Sequence, residues 1–261
     1  MISAFVFIFG ALIGSFLNVC VYRMPRDLSI IKPARSFCPR CEKQIPWYFN
    51  IPLISFLMLC GKCAFCKKTI LFRYFLIELI TACVFVYLWN LSAGNLPLFI
   101  MRAVFISMLT VIIATDFETK LIPDLITIPG AVLGLLFSLV PNGIFDQILW
   151  YDRLIQSALG LVCGYGVLLV TALIGNFLFK KESMGGGDLK LMAMMGAFIG
   201  WKYVLFVFML SPFVALPFAL WYRVAKKEEQ IPFGPFLAFW GAAFFLYGNF
   251  LISFLDKIYG V

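Results

Sequence analysis

Histidine is absent from this chain of 261 residues. Its absence excludes serine–histidine and cysteine–histidine nucleophilic pairs, histidine-ligated catalytic zinc and acid–base catalysis by imidazole. No lysine lies near a serine within an apolar segment, which also disfavours a serine–lysine pair. A hydrolase built from this sequence would therefore depend on carboxylate groups.

Charge is scarce as well, since 13% of the residues are charged, 63% are hydrophobic and the mean hydropathy is +0.99. Soluble domains average about 25% charged residues, so this chain is predicted to be an integral membrane protein. Its apolar segments predict an all-α, polytopic bundle of about eight transmembrane helices. They cover residues 2–22, 73–92, 98–115, 124–140, 153–179, 189–200, 203–222 and 233–255. Kinks or a re-entrant segment within 189–222 are an alternative, because that stretch contains Pro212 and Pro217.

The basic residues predict an orientation for these helices. With the N-terminus outside, 17 of the 21 lysines and arginines lie on the inner side, and only Arg102, Arg153, Lys202 and Lys257 lie on the outer side. The inner count includes Lys181 and Lys227. The positive-inside rule thus places the loop 24–72 in the cytoplasm. Topology accounts for most of the net charge of +8, so no nucleic-acid partner is predicted.

Two cysteine pairs in this loop predict a metal site. Cys38 and Cys41 form one Cys-x-x-Cys knuckle, and Cys63 and Cys66 form a second. This spacing is typical of a structural zinc ribbon with four thiolate ligands. Disulfide pairing is the alternative, which a reducing cytoplasm disfavours. We expect three parts: a first transmembrane helix (1–23), a cytoplasmic four-cysteine domain (24–72) and a membrane-embedded domain (73–261).

The carboxylates at the inner membrane edge are the candidates for chemistry. They are Asp116, Glu118, Asp124 and Asp188, with Glu78 about one turn inside the second segment. Asp188 follows three glycines, which would allow positive φ angles or a close approach of another chain segment. A pair formed by Asp116 and Asp188 would share a proton and activate water. The plainer reading is that such aspartates cap helices and that the glycines form a flexible turn.

The pattern of motifs resembles the bacterial type IV prepilin peptidases, also called leader peptidase/N-methyltransferases, over nearly the whole chain. The motifs are Gly14-Ser15-Phe16-Leu17-Asn18-Val19 with Arg23, Cys38-Pro39-Arg40-Cys41, Asn50-Ile51-Pro52, Gly61-Lys62-Cys63 with Cys66, Arg73-Tyr74 with Glu78, Asp116, Leu121-Ile122-Pro123-Asp124, Gly185 with Gly187-Asp188 and Lys190-Leu191, and Ile231-Pro232-Phe233-Gly234-Pro235. Phe75 stands where the family usually carries proline.

The resemblance implies a membrane aspartic protease with Asp116 and Asp188 as the catalytic pair. Gly185, Gly187 and Asp124 are expected to support the catalytic loop. The implied substrates are prepilins and pseudopilins of type IV pili or type II secretion, whose basic leader is cut at the cytoplasmic face of the bacterial inner membrane, in contact with lipid.

The resemblance further implies methylation of the new N-terminus with S-adenosylmethionine, to which it connects Gly61 and Lys62. No signature of a soluble methyltransferase is visible in the sequence.

Two interpretations from other functional classes stay open. One is a non-enzymatic zinc-ribbon scaffold for pilus or secretion-system assembly, and the other is an ion transporter, which carboxylates at the membrane edge disfavour. The oligomeric state is not predicted.

Overall fold

The computed structural model describes residues 1–33, 35–140, 145, 149–180, 184–226 and 231–259. Lys181 and Lys227, which were counted toward the orientation, lie outside these residues. The described part of the chain is all-α and contains no strand longer than an isolated bridge. Its helices are α1 (Ile2–Arg23), α2 (Ile54–Met58), α3 (Phe72–Leu91), α4 (Leu96–Thr119), α5 (Asp124–Phe137), α6 (Trp150–Phe179), α7 (Gly186–Lys226) and α8 (Gly234–Tyr259).

Six of the described helices are long and apolar enough to cross a membrane: α1, α3, α4, α6, α7 and α8. Two of the eight predicted segments do not appear as separate helices of this length. α5 is a shorter apolar helix of 14 residues. α7 joins two predicted segments through a break at Gly200, where φ is 81° and ψ is 170°. The expected all-α, multi-pass membrane protein is confirmed.

The chain forms two compact units, Met1–Val111 and Ile112–Val261. In the first unit α1 packs against α3 at two glycines. A Cβ atom on Gly10 would lie 2.8 Å from the Cα of Ala82, and one on Gly14 would lie 2.7 Å from the Cα of Glu78. Any larger residue would therefore separate these two helices.

The loop that follows α1 is organised by one buried cation. The guanidinium of Arg23, whose side chain is buried, donates hydrogen bonds to four loop carbonyls, those of Ser29, Ile30, Pro33 and Arg35. These acceptors satisfy the donors of a charged group that would otherwise be costly to bury. Arg23 therefore fixes the path of the chain from α1 into the cysteine loop.

In the second unit, the first half of α7 is the centre of the packing. It contacts α5, α6 and α8, and its residues from Leu191 to Gly200 are all buried. Gly160 of α6 and Gly196 of α7 bring the two backbones into direct contact, since a Cβ atom on either would collide with the carbonyl oxygen of the other. The hydroxyl of Ser157 also donates to the carbonyl of Ala197 at 2.6 Å. The start of α7 is thereby held by three surrounding helices.

Candidate active site and metal centre

Asp116 lies in the last turn of α4 and is only 5% exposed. Its Oδ2 atom accepts a hydrogen bond of 2.9 Å from the backbone N–H of Gly234, at the start of α8. A Cβ atom at Gly234 would lie 2.8 Å from the same oxygen. Glycine is therefore required for the α8 backbone to approach the carboxylate this closely.

Asp188 lies in the first turn of α7, and its backbone N–H donates to the carbonyl of Gly185 at 3.1 Å. Its side-chain Oδ1 atom is buried and has no hydrogen-bond partner among the described residues. Asp188 is close enough to Asp116 for the two charges to interact. The structure therefore brings together the two aspartates that the sequence predicts as a pair.

The glycines before Asp188 behave differently from one another. None of Gly185, Gly186 and Gly187 has a φ angle in the left-handed region, so the conformational freedom expected of them is not used. At Gly187 another side chain does approach closely, since a Cβ atom there would lie 2.9 Å from the Cβ of Ile122. Ile122 also lies against Gly234, where a Cβ would be 3.1 Å from its Cδ1 atom. One side chain thus packs against the starts of both α7 and α8.

Asp124, expected to support the catalytic loop, lies at the start of α5. Its Oδ2 atom accepts a hydrogen bond of 2.6 Å from the ammonium group of Lys190, one turn beyond the start of α7. The two side chains are 55% and 40% exposed, so this ion pair contributes only about 0–1 kcal/mol. It connects the start of α5 with the turn of α7 that carries Asp188.

The arrangement is suited to activating water. Two carboxyl groups within interaction range favour a state with one proton between them. The ionised group can accept a proton from water, and the protonated group can donate one to a leaving amine. The pair titrates as a unit, so neither aspartate alone is assigned as the acid. The unpartnered oxygen of Asp188 is an available acceptor for this water.

Sequence reasoning missed the backbone donor at Gly234. The motif Ile231-Pro232-Phe233-Gly234-Pro235 is visible in the sequence, but an N–H group leaves no side-chain signature. The useful signal is the order Gly-Pro at the start of a helix, because proline suits the first turn and glycine leaves its N–H accessible. Lys190, by contrast, belongs to a motif already quoted and acts through Asp124.

The four predicted metal ligands form one cluster in the first unit. The sulfur atoms of Cys38, Cys41, Cys63 and Cys66 all lie within 4.8 Å of one another, and none of these cysteines forms a disulfide. Tetrahedral Zn–S bonds of about 2.3 Å require sulfurs roughly 3.8 Å apart. The separation of 4.0 Å between the sulfurs of Cys38 and Cys66 fits that requirement. The cluster can therefore bind a metal ion.

The two knuckles share one backbone pattern. The N–H of Cys38 donates to the carbonyl of Lys43, and the N–H of Cys63 donates to that of Lys68. Burial raises the pKa of the Cys63 thiol, but hydrogen bonds from the backbone N–H groups of Cys66 and Phe65 and from neighbouring thiols lower it to about 7. Backbone donors that stabilise a thiolate favour metal ligation, because the thiolate is the ligand.

The residues connected with methyl transfer lie beside the second knuckle. Gly61 has a φ angle of 67°, and a Cβ atom there would lie 3.0 Å from the ring of Phe56. Lys62 forms an isolated antiparallel bridge with Thr69. The conformation of the turn thus accounts for glycine at position 61, and nothing in this geometry assigns a ligand to Lys62.

Comparison with known proteins gives two family matches that together cover most of the chain. Residues 8–91 match the family model described as Bacterial Peptidase A24 N-terminal domain, and residues 103–220 match the Type IV leader peptidase family. A Prepilin leader peptidase/N-methyltransferase of Bacillus subtilis (strain 168) is 36% identical over 259 residues, covering 97% of each chain. No solved structure matches this chain.

Two further relatives carry the same name. The protein of Klebsiella pneumoniae is 37% identical over 206 residues, which cover 77% of this chain and 86% of the relative. That of Neisseria gonorrhoeae is 36% identical over 261 residues, covering 88% of this chain and 85% of the relative. With two aspartates brought together at the helix ends of a membrane bundle, and with relatives of this identity and coverage, the chain belongs to the type IV leader peptidase family.

Proposed function

We propose that this chain is an aspartic endopeptidase that removes the leader from type IV prepilins and pseudopilins. The proposal is carried by the electrostatic interaction between Asp188 and Asp116 and by the buried Oδ1 atom of Asp188, which has no hydrogen-bond partner among the described residues. A buried acceptor without a donor is costly, at about 1–3 kcal/mol. Its retention at this position is explained if a water molecule or the substrate supplies the donor.

The position of the pair suits a prepilin-like substrate. Such a substrate is one apolar helix preceded by a polar leader, so its cleavage site lies where the helix leaves the membrane. Asp116 lies at the end of α4, and Asp188 lies at the start of α7. Both helices have membrane length, which supports a position of both carboxylates near a membrane edge. The names of the relatives support prepilins as the substrate class.

We assign the orientation with the N-terminus outside and the four-cysteine loop in the cytoplasm of the bacterial inner membrane. The distribution of lysine and arginine supports this assignment. In it, the membrane-facing surfaces contact lipid, and the leader is cut on the cytoplasmic side. The division into residues 1–23, 24–72 and 73–261 belongs to the same proposal.

The four-cysteine cluster is assigned to zinc, with a structural role. Four thiolates fill a tetrahedral site and leave no open position for water. The ion would hold together a loop of roughly 50 residues, a length that supports little core by itself. The close spacing of the four sulfurs supports this assignment.

Methylation of the new N-terminus is the second activity, with S-adenosylmethionine as the methyl donor. The name N-methyltransferase carried by the relatives supports it. Gly61 and Lys62 remain the candidates for contact with the methyl donor. They lie in the first unit, whereas the aspartate pair lies in the second, so each activity can be removed by separate substitutions.

Replacement of either aspartate tests the peptidase assignment. In membranes containing a prepilin, Asp116→Asn and Asp188→Asn are each expected to lower the rate of leader cleavage at least about a hundredfold, because a paired carboxylate acts as acid and base. Glu118→Gln is the matched control. Glu118 lies in the same turn of α4 but is exposed, and residues two apart do not share a helix face.

The control variant should cleave within about twofold of the unsubstituted chain, since it leaves the aspartate pair intact. Cleavage retained by Asp116→Asn or by Asp188→Asn would contradict the proposal. It would leave a scaffold role in pilus or secretion-system assembly as the better reading.

A further inference from the structure

The contact between α1 and α3 contains a polar cluster that peptide cleavage does not use. Gly14 allows the two backbones to meet at Glu78, where its Cβ would lie 2.7 Å from the Cα of that residue. The neighbours of Gly14 on α1, Ser15 and Asn18, therefore flank Glu78 on α3. Glu78 lies six residues into α3, which is about 9 Å from the helix start. We define the amine cluster as Ser15, Asn18 and Glu78.

Glu78 presents a carboxylate with neutral donors. Its Oε2 atom accepts a hydrogen bond of 2.8 Å from the backbone N–H of Leu53, and the side chain of Ser15 lies close enough to interact with it. Leu53 has a φ angle of 62°, which is unusual for a residue other than glycine. These donors orient the carboxylate without cancelling its charge.

Asn18 contributes a buried acceptor beside this carboxylate. Its side chain is 3% exposed, and its Nδ2 atom donates to the carbonyl of Tyr74 at 2.9 Å. Tyr74 lies one helical turn before Glu78, so the amide is placed next to it. The Oδ1 atom of Asn18 is buried and has no partner among the described residues. Buried amide oxygens without a donor are rare in folded proteins, and a ligand that carries an N–H group would supply the donor here.

The chemistry of the cluster selects the class of its ligand. A carboxylate and an amide oxygen are both acceptors, and together they fit a group that carries several N–H donors and a positive charge. A primary ammonium has these properties, whereas a carboxylate or phosphate would be repelled. Leader cleavage creates such an ammonium at the N-terminus of the mature pilin.

We propose that the amine cluster binds the N-terminal ammonium of the cleaved pilin and holds it for methylation. This inference rests on the proposed methyltransferase function. The ammonium first gives one proton to the carboxylate of Glu78, which later releases it to water. The neutral amine nitrogen then attacks the methyl carbon of S-adenosylmethionine. The new N–C bond forms as the S–C bond breaks, and the sulfonium becomes a neutral thioether.

Binding of processed peptides tests the site independently of turnover. Two peptides are compared on the detergent-solubilised full chain: a mature pilin N-terminal segment with a free amine, and the same segment with an acetylated amine. The unsubstituted chain should bind the free amine about tenfold more tightly, because only the ammonium pairs with Glu78. Glu78→Gln and Asn18→Leu should remove that preference.

The same variants are then measured for methyl transfer, for cleavage and for binding of S-adenosylmethionine. Methyl transfer to the free-amine peptide should fall at least about tenfold, with cleavage and S-adenosylmethionine binding kept within about twofold, since neither involves the cluster. Asp27→Asn is the charge control, because Asp27 is exposed in a left-handed conformation that asparagine also adopts. Thr81→Val is the packing control, because Thr81 is buried in the same helix contact.

The possible outcomes separate the two proposals. An unsubstituted chain that binds the two peptides equally would overturn the amine cluster, as would full methyl transfer by Glu78→Gln. Loss of S-adenosylmethionine binding in Glu78→Gln would also overturn it, by assigning the cluster to the cation of the methyl donor. Glu78-dependent amine binding without any methyl transfer by the unsubstituted chain would support the cluster and refute the methyltransferase function.

Discussion

Gly187 and Gly186 are adjacent in the sequence but make different contacts. A methyl group at Gly187 would lie 2.9 Å from the Cβ of Ile122, whereas one at Gly186 would meet nothing within 4 Å. Gly187→Ala is therefore expected to displace the first turn of α7, which carries Asp188, and to lower the cleavage rate about tenfold or more. Gly186→Ala should keep the rate within about twofold. Initial rates of leader cleavage at matched protein levels measure both.

The outcome distinguishes packing from flexibility as the role of these glycines. Similar losses in both variants would mean that the segment acts through backbone freedom, contrary to the contact described at Ile122. The sequence predicted the importance of Gly185 and Gly187 but left both explanations open. The φ angles favour close packing against Ile122 as the role of Gly187, because none of these glycines adopts the left-handed conformation.

The contact between α6 and α7 determines where the first turn of α7 lies. Gly160 and Gly196 touch through their backbones, so Gly196→Ala must push the two helices apart. Overpacking of this kind costs about 1–3 kcal/mol, and each kcal/mol lowers the melting temperature of a unit this size by roughly 2–4 °C. Thermal unfolding in detergent should therefore show a lower melting temperature for Gly196→Ala.

Gly166→Ala, on the partner helix α6, provides the control for this prediction. A Cβ atom at Gly166 meets nothing within 4 Å, and alanine is favoured over glycine in a helix by about 1 kcal/mol. The melting temperature should stay the same or rise. A Gly196→Ala protein as stable as Gly166→Ala would show that the two backbones are not in contact.

Helix positions could be predicted from the sequence better than helix continuity. Apolar runs are sufficient to indicate that residues 73–92 or 98–115 are helical, and α3 and α4 confirm them. The boundary between the predicted segments 189–200 and 203–222 falls at Gly200, whose non-helical φ of 81° lets the chain turn between two helical segments. No local pattern distinguishes that break from a loop. Contacts with α5, α6 and α8 bury the short first half of α7, and these were not visible in the sequence.

The candidate site residues also divide into those that the sequence predicts and those that depend on tertiary contacts. Asp116, Asp188 and the four cysteines could be predicted, because carboxylates and Cys-x-x-Cys pairs carry their chemistry in the side chain. The N–H of Gly234 and the ion pair between Asp124 and Lys190 could not, because they depend on which helix ends meet. The grouping of Asn18 and Ser15 with Glu78 was also missed, since these residues come from two separate motifs.

Across the chain as a whole, the metal cluster is expected to stabilise only its own unit. Cys38→Ser combined with Cys63→Ser removes one ligand from each knuckle, so bound zinc should fall from one equivalent to nearly none. Backbone amides of residues 36–70 should then exchange faster with solvent, while those of α6 and α7 keep their protection. Elemental analysis and hydrogen exchange measure these two effects.

Cys60→Ser combined with Cys83→Ser is the matched control, because both cysteines are exposed and lie outside the cluster. This variant should keep its zinc and its exchange pattern. A purified chain without metal, whose loop nevertheless exchanges slowly, would contradict the structural role of zinc.

The central claim is that Asp116 and Asp188 act as one catalytic unit, and the most direct measurement is a double-mutant comparison of leader cleavage. Rates are determined for Asp116→Asn, for Asp188→Asn and for the variant that carries both. If the pair shares one proton, each single substitution should lose nearly as much activity as the double one, as for other catalytic units. Losses that multiply in the double variant, or a single variant that still cleaves, would contradict the account.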